Sequence, residues 1–91
     1  AVGRIGNDVQ GETLKACLAV EKVDVRGVIT QPQYFTPVKN RVIAENQQIV
    51  RVDHEHISTL PEPMEQQVID RLPQLLEGVQ IVALSDYGKG F

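Results

Sequence analysis

Between Lys39 and Glu55 the chain reads KNRVIAENQQIVRVDHE, which sets Lys39, Arg41 and Arg51 into two segments that otherwise alternate like the arms of a β-hairpin. A guanidinium is a planar fork of donors that matches phosphate or carboxylate, so two of them converging make an anion site. Whether they converge depends on register. Val38, Val42 and Ala44 share one parity and Lys39, Arg41 and Ile43 the other, while Gln48, Val50 and Val52 oppose Ile49, Arg51 and Asp53 in the same way. Matched faces require paired residue numbers with an even sum, hence an odd-numbered connection. A three-residue loop at Glu45, Asn46 and Gln47, or a five-residue variant, pairs Val42 with Val50, Lys39 with Asp53 and Arg41 with Arg51. A two-residue turn at Glu45 and Asn46 sets Val42 against Ile49 and mixes the faces, so the longer loop is preferred.

Two accounts of this face compete at that point. In one it is a solvated edge on which Asp53 and Glu55 screen the cations, because surface pairs contribute little. In the other the two guanidiniums bind an anion, since directly opposed like charges are otherwise destabilising.

Other stretches carry weaker chemistry. Asp86, Tyr87 and Lys89 in LSDYGKGF follow a long apolar run, and open parallel sheets bind polar ligands beyond the carboxyl ends of their strands. A plain turn built on Asp and two glycines accounts for the same residues. VGRIGNDVQG lacks both GxGxxG and GxxxxGK[ST], so it reads as a structural strand-to-helix turn. His54 and His56 in DHEH are too few for a zinc site without cysteine or a third imidazole. Cys17 sits in a helical apolar stripe and reads as a small buried hydrophobe, and no Ser/His/Asp arrangement is supported by spacing.

These residues need elements to hold them. Ala1 to Gly3 reads as the end of a buried strand running into a glycine-rich turn at Gly3 and Gly6. Asn7 or Asp8 caps a helix to about Glu21, with Leu14, Cys17, Leu18 and Val20 as its apolar stripe. Val23, Val25, Val28 and Ile29 form a strand, ended by QPQYFTP. After the hairpin, Pro61 opens a helix bearing Val68, Ile69, Leu72, Leu75 and Leu76, Pro73 kinks or divides it, and Gly78 closes it. Val79 to Leu84, VQIVAL, has the uninterrupted apolar character of a strand buried on both faces. The expectation is a layered α/β fold with about three parallel core strands and a side hairpin.

The 91 residues make one small domain, which buries only about 60 to 65% of its unfolded surface. A net charge of -3 gives no support for nucleic-acid binding, and no apolar run approaches the roughly 20 residues needed to span a bilayer. One cysteine allows no internal disulfide, which points to a reducing, cytoplasmic setting; no signal peptide is visible at the start. The first residue is Ala, and the chain stops soon after its most apolar run, where a further covering helix is expected. Both features suggest a chain cut from a longer domain.

Three stretches in order, VGRIGNDVQG, TPVKNRVIAENQQIVRVDHE and ALSDYGKG, resemble the middle of the ribokinase-like carbohydrate kinases of the phosphofructokinase B type. The likeness is to the heptose 7-phosphate kinase branch that supplies ADP-heptose for lipopolysaccharide cores. It runs across essentially the whole chain, and the combination of K-x-R, NQQ, R-x-D and SDYxKG carries it.

The resemblance implies a partial Rossmann-like sandwich with a β-hairpin lid, the lid strands often forming a dimer contact. It implies substrate binding by Lys39, Arg41, Gln47, Gln48, Arg51 and Asp53 on the lid side, and by Asp86 and Lys89 at the sugar-phosphate end. The complete family enzyme uses ATP and Mg to phosphorylate the anomeric hydroxyl of heptose 7-phosphate. The family's N-terminal sugar-binding strand and its GAGD catalytic segment do not occur in this sequence. No catalytic residue, metal or cofactor is therefore expected for this chain alone, and it should lack phosphotransferase activity by itself. The alternative is a non-catalytic anion-binding or oligomerisation module.

Overall fold

The computed structural model describes residues 1–91. Six elements follow one another: β1 (Val2–Gly6), α1 (Val9–Val20), β2 (Gly27–Gln31), β3 (Val38–Ala44), β4 (Gln47–His54) and α2 (Glu62–Leu75). β1 and β2 pair in parallel, from Val2 opposite Gly27 to Gly6 opposite Gln31, and α1 is the crossover that parallel pairing requires. Ile5, Ile29 and Tyr34 are the buried apolar side chains, and Ile5 is wholly enclosed. The core is therefore a thin layer around one βαβ unit, with α2 packed against β2.

Local chemistry explains the elements. Asp8, extended in backbone, accepts from the Gly11 amide at 2.8 Å and so caps α1. Pro61 precedes α2, and Pro63 lies in its first turn, where a missing N–H costs nothing. Of the kink or division expected at Pro73, the division does not occur: α2 runs as one helix through it. Pro73 lies in its last turn, so helix propagation beyond it is hardly required. Cys17 is exposed, as is Val20 at 79%, because nothing covers that side of α1; neither is the buried residue that helical spacing suggested.

The α/β class holds, but the parallel sheet has two strands where about three were expected. Val79 to Leu84 forms no strand: Ile81 is 84% and Leu84 92% exposed, and no ladder reaches them. An apolar run becomes a buried strand only when neighbouring strands satisfy its backbone and layers cover its faces. β1 and β2 pair only with each other, and the segment is not laid along either outer edge.

The hairpin projects from this unit, giving extents of 48 × 27 × 23 Å. The radius of gyration, 15.3 Å, exceeds the roughly 12 Å of a compact chain this long. Its pairs are Val42 with Val50, Arg41 with Arg51 and Lys39 with Asp53, as parity demanded, yet Ala44 pairs with Gln47 across a two-residue turn. The preferred three-residue loop is thus corrected. Glu45 and Asn46 take φ of 49° and 66°, the left-handed pair a tight hairpin needs. Between Val42 and Ile43 the ladder shifts, leaving Ile49 as the unpaired residue of a β-bulge. The bulge supplies the odd residue that the turn does not.

Candidate functional site

The register determines which charges meet. On one hairpin face Lys39 Nζ lies 2.9 Å from Asp53 Oδ2, and Arg51 Nε lies 2.9 Å from Asp53 Oδ1. Arg41 stands opposite Arg51 and has no ion-pair partner. Past the end of β4, Glu55 pairs with Lys89 and lies 4.0 Å from Lys39. Lys39, Arg41, Arg51 and Lys89 therefore share a continuous face with only Asp53 and Glu55 against them, and positive charge is in excess. The carboxylates respond: hydrogen bonds from Lys39, then Arg51, hold Asp53 below its ordinary value, and the bond from Lys89 does the same to Glu55.

Of the residues read from sequence, Lys39, Arg51, Asp53 and Lys89 are brought together, with Arg41 beside them. Asp86 is not among them; its Oδ1 accepts from the Gly88 amide at 2.7 Å and closes a local turn. Lys89 follows that turn rather than the end of a strand. Gln47 and Gln48 lie beside the turn at the hairpin tip, roughly 15 to 20 Å along β4 from Asp53. No cluster of three or more His, Cys, Asp or Glu side chains is arranged to hold a metal ion, the two histidines included.

A cleft of about 670 Å³ opens between the hairpin base and the start of α1. Asp8, Gln10, Asn40, His54 and His56 line it together with Asp53 and Glu55, the two carboxylates of the cationic face. Such a lining is rich in acceptors for hydroxyl groups, while the cations beyond it suit an anion. A ligand carrying both kinds of group fits the pair.

Several positioning residues were not visible as such in the sequence. Asp8 Oδ1 accepts from Thr36 Oγ1 at 2.7 Å and Oδ2 from the Thr36 amide at 2.7 Å, while Thr36 Oγ1 accepts from the Gly6 amide at 2.9 Å. These bonds, led by that from the Thr36 hydroxyl, hold Asp8 below its ordinary value. They fasten the β1–α1 turn to the hairpin base. The signal for Asp8 was its capping position; nothing local announced Thr36, 28 residues away.

No family model matches the chain. Among curated proteins it is 35% identical over 88 residues to the bifunctional protein HldE of Helicobacter pylori (strain HPAG1), an alignment covering 97% of this chain and 19% of that protein. With the same-named protein of Wolinella succinogenes the identity is 41% over 88 residues, with the same two coverages. For that of Trichlorobacter lovleyi it is 42% over 86 residues, covering 94% of this chain and 18% of the relative. The chain is related to one stretch of HldE. It spans about a fifth of the length of the HldE proteins it matches. The alignment takes in 97% of the chain, and so most of both the hairpin and the βαβ unit.

Proposed function

We propose that the chain is the substrate-side and lid portion of an HldE-type sugar kinase, serving ADP-heptose formation by holding heptose 7-phosphate. The observation that carries this reading is the hydroxyl-accepting cleft sharing Asp53 and Glu55 with the cationic face of Lys39, Arg41, Arg51 and Lys89. Sugar hydroxyls sit in the cleft and the 7-phosphate meets Arg41 and Arg51. ATP and Mg belong to the complete kinase, as does the Rossmann-like sandwich; no group of three or more His, Cys, Asp or Glu side chains is arranged here to hold a metal, and no transfer step is assigned to this chain's residues.

Calorimetric titration of heptose 7-phosphate into the chain tests it. Binding is expected, weakened about tenfold or more by Arg41→Gln with Arg51→Gln, and no turnover should appear in a coupled ATPase assay. Absence of binding, or indifference to both substitutions, refutes the reading.

A second reading is favoured by one further observation. On the opposite hairpin face Val42, Val50 and Val52 are 43 to 50% exposed, an apolar strip suited to pairing with a second copy. Light scattering distinguishes this oligomerisation role, which requires a dimer that Val50→Lys dissociates.

A further inference from the structure

Arg4 lies in the middle of β1, on the sheet rather than the hairpin, and none of the charged motifs includes it. Its guanidinium nevertheless touches four separate parts of the chain. Nη1 donates to Gln31 Oε1 on β2 at 3.0 Å, and the group lies 4.2 Å from the centre of the Tyr34 ring. Nη2 donates to two backbone carbonyls, that of Ser58 and that of Lys89, the latter at 2.9 Å. The β-sheet core thereby grips both the segment leaving the hairpin and the segment that carries Lys89.

We propose that Arg4 is a positioning residue that places Lys89 on the cationic hairpin face. Besides Arg4, the Lys89 segment is tied down by one backbone bond, from the Leu60 amide to the Gly90 carbonyl at 2.8 Å. A single bond lets a segment pivot; the adjacent grip on the Lys89 carbonyl fixes its direction. Held that way, the Lys89 side chain reaches Glu55, which lies beside Lys39, and the face closes into one set of charges. Arginine suits the task because its donors diverge in one plane while the plane itself stacks on an aromatic ring. Lysine offers a point charge and cannot make all four contacts at once.

Whether Lys89 then serves a phosphate rests on the reading given above, but its placement is measured without any ligand. Glu55 faces Lys89, Lys39 and Asp53, and its lowered pKa comes first from the Lys89 bond. The experiment is NMR titration of the Glu55 side chain in wild type, Arg4→Gln, Arg4→Lys and Lys89→Gln, with helix content checked by circular dichroism. Arg4→Gln should raise the Glu55 pKa to the value in Lys89→Gln, Arg4→Lys should restore it only in part, and the double variant should add nothing. An unchanged Glu55 in folded Arg4→Gln overturns the proposal, because the placement of Lys89 then does not depend on Arg4. Since Arg4 also holds the Ser58 carbonyl, three residues past Glu55, a double variant whose Glu55 shifts beyond that of Lys89→Gln overturns it as well. If Arg4→Gln fails to fold, folded Arg4→Lys decides by the same criterion: Glu55 at its wild-type value overturns. Heptose 7-phosphate is titrated in parallel. A wild type that does not bind it removes the functional reading while leaving the Glu55 result to decide Arg4.

Discussion

The hydroxyl of Thr36 lies 2.7 Å from one carboxylate oxygen of Asp8, and the Thr36 amide lies 2.7 Å from the other. One side chain thus caps α1 and anchors the hairpin base, so helix start and hairpin position are not independent. Asn at position 8 keeps one acceptor oxygen but cannot receive both Thr36 donors on its two terminal atoms. Asp8→Asn should lower Tm by a few degrees at neutral pH and speed hydrogen exchange at the Thr36 amide. Because the folded pKa of Asp8 lies below the ordinary aspartate value of 3.8, its contribution is complete well above that pH and is lost as pH falls through the folded value. The Tm gap between wild type and variant should therefore close below about 3.8, and a gap independent of pH contradicts the assignment.

Gly6 sits inside the same junction. A Cβ there meets the Tyr34 carbonyl, with Asp8 Oδ2 at 2.6 Å and the Thr36 amide at 3.0 Å, whereas one at Gly3 meets nothing within 4 Å. Since rigid backbone must move, Gly6→Ala should cost about 2 to 3 kcal/mol. Gly3→Ala should be neutral or stabilising by roughly 0.5 kcal/mol, as alanine loses less entropy on folding. Urea denaturation of the two variants checks the contrast, and equal midpoints refute the close approach.

The hairpin tests how register is kept. Ile49 is the unpaired residue of the bulge and is 61% exposed, so its removal loses little burial. Deleting it leaves a two-residue turn between regular arms, with Val42 still opposite Val50 and Arg41 still opposite Arg51. Cross-strand NOEs should show both pairs retained. A deletion variant in which Arg51 moves opposite another residue disproves the role given to the bulge.

That bulge also marks how far sequence reasoning reached. Alternation along each arm determined the facing pairs correctly, because burial and charge parity constrain them from both sides. It could not distinguish a three-residue loop from a two-residue turn with a bulge, since both restore the same parity. Asp8 was legible as a cap because capping is local. Its bonds to Thr36, and the reach of Arg4 to Ser58 and Lys89, span 28 to 85 residues and follow no periodicity. Lys39, Arg41, Arg51 and Asp53 stand out by type and spacing, while Lys89 and Asp86 stand out by their expected place beyond the end of a buried strand and by likeness to a family. That strand does not form, and Asp86 is occupied with its own turn. The largest departure, Val79 to Leu84, arises because composition registers what a segment can bury, not whether a partner is at hand.

This last segment gives the most decisive prediction. VQIVAL carries no charge and no proline, and six such residues in the open are prone to strand association between molecules. Ile81 and Leu84 are the most exposed of its large apolar side chains, at 84% and 92%. Substituting both with lysine should leave stability within about 0.5 kcal/mol, as for ordinary surface positions. The same change should sharply reduce hydrophobic-dye fluorescence and the scattering that grows with protein concentration. If the run were instead a strand buried on both faces, two unpaired ammonium groups would be driven into the core and the chain would unfold. Far-ultraviolet circular dichroism and dye binding on the Ile81→Lys, Leu84→Lys variant therefore separate the outcomes: retained helices with weak dye binding support the exposed segment, and loss of structure refutes it.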